Sequence, residues 1–84
     1  MPKKVTIYTT TYCPHCRRAK ELLKRKKVEF QEVDVTENAQ ERERLEKKTG
    51  WMTVPMIFIG EEFIGGADDL QTLESAGQLD AKLR

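Results

Sequence analysis

The chain has 84 residues, and its 15 lysines and arginines are balanced by 14 acidic residues, for a formal net charge of +1. A chain of this length buries about 60% of its unfolded surface, which predicts a single domain over residues 1–84. The balanced charge gives no reason to predict nucleic-acid binding, and the lack of a secretory leader or of an apolar run of about 18 residues predicts a cytoplasmic protein with no membrane segment.

The first predicted elements are a strand and a helix that meet at the two cysteines of the chain. Residues 5–8 (Val-Thr-Ile-Tyr) lie in a threonine-rich run with many β-branched residues, which predicts a strand buried on at least one face. The run from Ala19 to Lys26 is amphipathic, and the residues that share the predicted inward face of this helix are Cys16, Ala19, Leu22 and Leu23. A strand that delivers a Cys-x-x-Cys pair to a helix N-terminus is typical of a redox site.

The chemistry of this pair depends on the thiolate, because only the ionised sulfur attacks a disulfide and an ordinary cysteine is roughly 3% ionised at pH 7. As the N-cap of the helix, Cys13 would meet unpaired backbone N–H groups and the positive end of the helix dipole, which favour its anion. Pro14 suits the first helical position. Positive charge nearby comes from Arg17, Arg18 and Lys20. We expect Cys16 to be less exposed and to keep a more ordinary pKa.

A cysteine pair can also form a structural disulfide or part of a zinc site. A disulfide that closes a four-residue loop removes only roughly 2 kcal/mol of unfolded-chain entropy, so it stabilises a fold little. Zinc needs four ligands, and beyond the two cysteines the chain offers a single histidine, His15, which lies between them. Both alternatives stay open, but the sequence favours redox chemistry with no metal.

The middle of the chain predicts an irregular strand followed by a surface helix. Val28 to Val35 has strand composition, but its apolar positions change phase, which a bulge or an edge position would explain. Asn38 and Glu41 are spaced as an N-cap and its reciprocal partner, and Gly50 marks the predicted end of the helix. The two clearly apolar residues of this helix are Ala39 and Leu45.

The last third of the chain predicts a hairpin and a C-terminal helical region. Met56 to Ile59 is the most apolar run and Phe63-Ile64 is a shorter one, which predicts a β-hairpin whose first strand is central. A helix follows Gly65-Gly66 and ends at Gly77; the inward residues of this helix and of the tail behind it are Leu70, Leu73, Ala76, Leu79 and Leu83. The order βαβ, α, ββα predicts an α/β fold, a four-stranded mixed sheet flanked by helices.

Two further motifs suit the binding of a redox partner. Thr53-Val54-Pro55 can place a cis bond before the proline and turn the Val54 backbone outward to pair with an extended peptide, or the proline can simply start a strand. Gly65-Gly66 before Asp68-Asp69 can expose N–H groups to an anion beside a carboxylate for an ammonium group, or form a flexible turn before an acidic helix start. The residues alone leave these alternatives open.

Three motifs at these separations resemble those of bacterial glutaredoxins of the dithiol class: Cys13-Pro14-His15-Cys16, Thr53-Val54-Pro55 and Gly65-Gly66-Ala67-Asp68-Asp69-Leu70. The resemblance covers nearly the whole chain and implies the thioredoxin fold, a cis Val54–Pro55 bond and the reduction of disulfides with electrons from glutathione. It also implies that Cys13 is the nucleophile and Cys16 the resolving thiol. The glutathione contacts that it implies are Tyr12, Cys13, Thr53, Val54, Pro55, Gly66, Asp68 and Asp69.

The chain also departs from the pattern of this family. Many glutaredoxins carry a lysine where this chain has Thr10, and a basic residue or glutamine where it has Trp51, so donors for the glycyl carboxylate of glutathione are missing. This favours, as a second hypothesis, a redoxin recharged by thioredoxin reductase. The third hypothesis is a protein that holds an iron–sulfur cluster between two subunits through Cys13 and two glutathione molecules.

His15 stands where glutaredoxins most often have a tyrosine. Our hypothesis is that Pro14, His15 and Arg17 tune the ionisation of Cys13, and that partial positive charge on His15 makes the protein more oxidising than the roughly −200 to −230 mV typical of glutaredoxins. The resemblance further implies disulfide-containing cytosolic proteins as substrates, and a monomer is the default expectation.

Overall fold

The computed structural model describes residues 3–11 and 13–83. These residues form four strands and four helices: β1 (Val5–Thr9), α1 (Pro14–Arg25), β2 (Phe30–Asp34), α2 (Ala39–Thr49), β3 (Met56–Ile59), β4 (Glu62–Gly65), α3 (Ala67–Ser75) and α4 (Leu79–Leu83). The predicted order of elements is confirmed. In this described part of the chain, no helix combines the length and the apolar character needed to cross a bilayer.

The sheet has the strand order β2-β1-β3-β4. β1 runs parallel to β2, with Val5 opposite Phe30, and antiparallel to β3, which in turn pairs antiparallel with β4. The predicted mixed sheet with a central β3 is therefore confirmed. β2 is an edge strand that pairs with β1 in unbroken register, so its edge position, and not a bulge, accounts for the phase change of its apolar residues. The irregularity lies instead between β3 and β4, where the register shifts at Ile57 and Phe58.

The two faces of the sheet pack against different helices. Successive side chains of a strand point to opposite faces, and all four residues of β3 are buried, as expected for a central strand. One face packs against α1, α3 and α4 through a cluster that includes Ile7, Leu23, Ile57 and Leu70. The other face packs against α2 through Leu45, Met56 and Phe58. The inward face predicted for α1 is confirmed, because its buried residues are Cys16, Ala19, Leu22 and Leu23.

Several details predicted for the helices and for β2 are wrong. Asn38 does cap α2 by accepting the Glu41 backbone N–H at 3.1 Å, but the Glu41 side chain pairs with Arg44 instead of reaching back to Asn38. Ala39 is exposed, so Leu45 is the buried residue of α2. Ala76 is also exposed, since α3 ends at Ser75 before reaching it. β2 is shorter than predicted and begins at Phe30.

The C-terminal helix is held against the sheet, as predicted. Leu79 and Leu83 of α4 are buried in the same cluster as α1 and α3. Lys26, which follows α1, pairs with Glu74 of α3 at 2.9 Å and with Asp80 of α4 at 3.0 Å. The Lys26 side chain is only 16% exposed, so this ion-pair cluster ties the ends of three helices together beside the core.

Candidate active site

Cys13 lies between β1 and α1 and is the N-cap of α1, with an extended backbone (φ −95°, ψ 111°). The Cys16 backbone N–H donates to Cys13 Sγ at 3.3 Å, and Pro14 takes the first helical position, where its missing N–H costs nothing. On its other side, the Cys13 thiol donates to the carbonyl oxygen of Val54 at 3.5 Å. The sulfur is therefore placed between a helix N-terminus and the loop before β3.

Cys16 is the inner cysteine of the pair and is only 1% exposed. Burial, followed by its hydrogen bond with Cys13, raises the pKa of Cys16 to about 12, although the Thr10 backbone and the charge of Lys20 act in the opposite direction. The sequence predicted the lower exposure correctly, but its expectation of a more ordinary pKa is wrong. Both cysteines are free thiols in this structure.

The loop before β3 presents the Thr53-Val54-Pro55 motif to the cysteines. The Val54–Pro55 peptide bond is cis, as the resemblance implied. Pro55 is buried, Val54 is half-buried and Thr53 is exposed. Because the Val54 carbonyl meets Cys13 Sγ, this loop forms one wall of the space in front of the sulfur.

The N-terminus of α3 forms a third part of the site. Gly65 has φ +120°, and an added Cβ there would lie 2.6 Å from Asp69 Oδ2, so only glycine fits. The Asp69 carboxylate accepts the Gly66 backbone N–H at 2.9 Å and is thus engaged inside its own helix start. The first intrahelical bond of α3 runs from the Leu70 N–H to the Gly66 carbonyl at 3.1 Å. The backbone N–H groups of the three residues between Gly66 and Leu70 come before the first hydrogen bond of the helix, so they have no acceptor within it.

Arg18 joins the cysteine motif to the start of α3. Its Nη2 donates to Asp68 Oδ1 at 3.1 Å and also to His15 Nδ1 at 2.7 Å. A guanidinium can only donate, so His15 Nδ1 is the acceptor in this contact. Arg17, by contrast, is 82% exposed and lies 3.9 Å from Glu21. The sequence indicated Arg18 only as nearby positive charge, because its contact with Asp68 spans 50 residues.

A polar recess opens beside the cysteines on the β2 side. It is lined by both cysteines, Thr10, Lys20 and Glu32, among others. Glu32 accepts from Lys20 Nζ at 3.0 Å and from Thr9 Oγ1 at 2.8 Å, and the Lys20 contact holds the pKa of Glu32 below its usual range. The sequence did not indicate Glu32 as part of this site, because only the parallel pairing of β1 with β2 brings it there.

Thr10 and Trp51, the two residues that depart from the glutaredoxin pattern, do not present their polar side-chain atoms to solvent. The Thr10 hydroxyl and the Trp51 indole N–H are both buried, with no hydrogen-bond partner in residues 3–11 and 13–83. Trp51 packs edge-on against Phe63, with 5.8 Å between ring centroids. Tyr12, the remaining candidate from the sequence, lies outside the described residues.

A Cys-x-x-Cys pair at a helix N-terminus, facing a cis-proline loop on a four-stranded mixed sheet, defines a thiol–disulfide oxidoreductase of the thioredoxin type. The glutaredoxin family model matches residues 5–64. The chain is 54% identical over 79 residues to a glutaredoxin of Pseudomonas aeruginosa, with 94% of each chain covered. It belongs to the glutaredoxin family and, with its two cysteines, is a dithiol member.

Solved structures agree with this assignment. The solution structure of a glutaredoxin from Brucella melitensis is 45% identical, with a TM-score of 0.88 and coverage of 98% of this chain and 89% of that one. A crystal structure of a buckwheat glutaredoxin–glutathione complex is 29% identical, also with a TM-score of 0.88, and covers 94% of this chain and 74% of that one. The predicted thioredoxin-like fold is confirmed by these structures.

Proposed function

We propose that this enzyme reduces protein disulfides and glutathione mixed disulfides, with Cys13 as nucleophile and glutathione as electron donor. With a mixed disulfide, the Cys13 thiolate attacks the glutathione sulfur, the substrate leaves as a thiol, and Cys13 becomes glutathionylated. A second glutathione thiolate then attacks the bound glutathione sulfur. Oxidised glutathione leaves and the Cys13 thiolate is restored.

With a protein disulfide, Cys13 forms a bond to one substrate sulfur and releases the other as a thiol. Cys16 then loses its proton and attacks Cys13 Sγ, which releases the second substrate thiol and leaves a Cys13–Cys16 disulfide. Two glutathione molecules reduce this disulfide in turn. The single observation that carries these roles is the difference between the two sulfurs: Cys13 caps the helix and is half-buried, whereas Cys16 is 1% exposed and has a raised pKa.

The raised pKa of Cys16 also suits a resolving thiol that reacts only after Cys13 has bonded to a substrate sulfur. Two of its causes are the hydrogen bond with Cys13 and the charge of Cys13. Both are altered once Cys13 Sγ is bonded to a substrate sulfur and is neutral. The pKa of Cys16 then falls, so its attack becomes easier in the intermediate that requires it.

Glutathione is proposed to lie across the front of Cys13. Its cysteine backbone would pair with Val54, its γ-glutamyl carboxylate would meet the N–H groups at Asp68 and Asp69, and its ammonium group would meet the Asp68 carboxylate. Support comes from the Val54 carbonyl 3.5 Å from Cys13 Sγ, and from the glutathione complex of the buckwheat relative. Tyr12, Thr53, Pro55 and Gly66 complete the proposed contacts, and no metal is required.

The proposed physiological partners are glutathione and disulfide-containing proteins of the cytoplasm, on which the enzyme acts as a monomer. The glutathione complex of the buckwheat relative supports the first of these partners.

The test is a coupled assay that compares two electron sources: glutathione with glutathione reductase, and thioredoxin reductase. We expect turnover with glutathione, no activity of Cys13→Ser on any substrate, and retained activity of Cys16→Ser on small glutathione mixed disulfides. Turnover with thioredoxin reductase alone would contradict the proposed donor. Loss of mixed-disulfide reduction in Cys16→Ser would overturn the assigned roles.

A further inference from the structure

Lys20 is placed beside Cys16 by the helix that carries both residues. They are four residues apart in α1, and residues at this spacing lie on the same face of a helix, one turn apart. A long side chain in a helix leans back toward the N-terminus, so the Lys20 ammonium extends toward the turn that contains Cys16. Both residues line the recess on the β2 side. The Lys20 side chain is only 29% exposed, whereas that of Arg17, which also lines the recess, is 82% exposed.

Glu32 of β2 fixes the Lys20 ammonium in this recess. Its Oε2 accepts from Lys20 Nζ at 3.0 Å and from Thr9 Oγ1 at 2.8 Å. Because Thr9 is a buried residue of β1, it anchors the carboxylate, and the carboxylate in turn anchors the ammonium. A cation that is already held in place loses little side-chain entropy when a negative charge develops beside it.

The wall of the recess formed by Thr10 also suits a negative charge. The Thr10 hydroxyl is buried and has no hydrogen-bond partner within the described part of the chain. A buried polar group without a partner is costly, and an anion in the recess would supply an acceptor. The Thr10 backbone and the charge of Lys20 both lower the pKa of Cys16, against the larger effect of burial. The groups on this side of Cys16 therefore favour its ionised form.

We propose that Lys20, held in place by Glu32, stabilises the thiolate of Cys16 in the step that closes the Cys13–Cys16 disulfide. In this step the Cys16 proton passes to water in the open recess, and the thiolate forms a bond to Cys13 Sγ. The bond from Cys13 to the substrate sulfur breaks, and that sulfur takes the electron pair. Lys20 acts on the reaction through Cys16, and Glu32 is a positioning residue. The inference rests on the proposed function, in which Cys16 is the resolving thiol.

The competing assignment makes Glu32 the acceptor of the Cys16 proton and Lys20 merely its counter-ion. Loss of Lys20 would then leave Glu32 a stronger base, because the Lys20 contact holds the pKa of Glu32 below its usual range. Closure of the disulfide would become faster. If Lys20 stabilises the thiolate, closure becomes slower, so the two assignments predict opposite effects of Lys20→Gln.

The test uses the full chain in its reduced form and a dithiodipyridine, a disulfide reagent that releases coloured thiopyridone. The Cys13 thiolate attacks one sulfur of the reagent, forms a mixed disulfide and releases the first thiopyridone, at a rate that rises with reagent concentration. Cys16 then attacks Cys13 Sγ and releases the second thiopyridone. This second rate is independent of reagent concentration, because the step is intramolecular. One stopped-flow experiment at pH 7 therefore measures the two sulfurs separately.

We expect Lys20→Gln to slow the second release about threefold to tenfold, and to slow the first release far less. A neighbouring opposite charge changes the thiolate fraction of a thiol about tenfold or more. The greater nucleophilicity of the less acidic thiol offsets part of this loss. Lys20→Arg keeps the charge and should retain most of the wild-type rate.

The matched control is Lys24→Gln, an exposed lysine of the same helix, about 12 Å along its axis from Cys16. It should behave as the wild type. Equal slowing of both releases in Lys20→Gln would show a general charge effect and overturn the inference, as would an unchanged or faster second release. Unfolding measurements show whether each variant is folded, and Lys20→Met, which keeps the apolar stem without the charge, carries the test if Lys20→Gln is not.

The reagent reacts with the two thiols whichever molecule supplies electrons to the enzyme, so it separates this inference from the proposed function. A second release that occurs in the wild type and is not slowed in Lys20→Gln overturns the role of Lys20 and leaves Cys16 as the resolving thiol. Absence of a second release in the wild type overturns both. Failure of glutathione to reduce the enzyme, with the second release slowed in Lys20→Gln, overturns the proposed electron donor and supports the role of Lys20.

Discussion

At the scale of single residues, the two cysteines of one motif differ because one turn of helix separates their environments. Cys13 caps α1 and accepts a first-turn N–H, whereas Cys16 faces the core and is 1% exposed. Burial penalises a thiolate, so the pKa of Cys16 rises to about 12. Helical spacing was enough to predict which cysteine is buried. It could not predict the pKa, because desolvation depends on how completely neighbouring elements close over the sulfur.

The pKa of Cys16 can be tested in Cys13→Ala. This change removes the hydrogen bond and the charge of Cys13 but leaves the burial, which is the largest cause of the shift. We expect the pKa of Cys16 to fall below its wild-type value and to remain above the roughly 8.5 of free cysteine. Thiolate absorbance against pH measures this with a single cysteine present. Ionisation at the free-cysteine pKa would show that burial does not control this thiol.

His15 provides a second prediction at this scale. The sequence suggested that its positive charge makes the enzyme more oxidising, but in the described residues the hydrogen bonds of Cys13 Sγ run to Val54 and Cys16, and His15 Nδ1 is engaged by Arg18. We therefore expect His15→Tyr to change the redox potential of the dithiol by less than about 30 mV, which corresponds to about 1.4 kcal/mol. Equilibration with glutathione buffers measures the potential. A larger fall in the variant would restore the cationic role of His15.

At the scale of elements, strong apolar patterns were predictable and contacts between surface side chains were not. The run Met56 to Ile59 could be assigned to a central strand because every residue in it is apolar. For the same reason it gave no sign of the register shift at Ile57 and Phe58. On α2, the spacing of Asn38 and Glu41 fits a reciprocal cap, yet Glu41 pairs with Arg44, a contact of similar energy that the spacing equally allows.

The one-sided cap of α2 gives a prediction by double mutation. Asn38→Ala should lower the free energy of unfolding by about 1 kcal/mol, because the Glu41 backbone N–H loses its acceptor. Since the Glu41 side chain does not contact Asn38, the effects of Asn38→Ala and Glu41→Gln should add within about 0.5 kcal/mol. Urea unfolding of the two single variants and the double variant measures this. A larger coupling would indicate a reciprocal cap after all.

At the scale of the whole molecule, the site forms where segments distant in sequence meet. The cysteine motif, the Val54 loop and the start of α3 each carry a pattern of their own, so the sequence could predict the three parts and, by resemblance, their combination. The contacts that join them could not be predicted. Arg18 reaches Asp68 across 50 residues, and Glu32 reaches the recess only because β2 pairs with β1.

The pKa shifts of the titrating groups predict how the stability of the whole fold depends on pH. Lys20 and Lys82 lower the pKa values of Glu32 and Glu62, so the stability that these carboxylates contribute is present above about pH 4.3 and is lost as the pH falls through their lower folded-state values. Glu74 and Asp80 raise the pKa of Lys26, so its contribution is present below about pH 10.4 and is lost at higher pH.

Because of Cys16, the free energy of unfolding begins to fall at a lower alkaline pH than Lys26 alone would cause. Its pKa is about 12 in the folded protein and about 8.5 in the unfolded chain, so the folded state holds the proton more tightly, and stability falls as the pH rises above about 8.5. We expect the free energy of unfolding of the reduced enzyme to be greatest between about pH 5 and 8 and to decline from about pH 9. Cys16→Ala removes this titrating group, so its decline should begin only near pH 10.4, where Lys26 titrates. Urea unfolding of the two proteins under reducing conditions, at half-unit steps of pH, measures this. Parallel curves of unfolding free energy against pH between pH 8.5 and 10.4 would mean that the folded state does not hold the Cys16 proton.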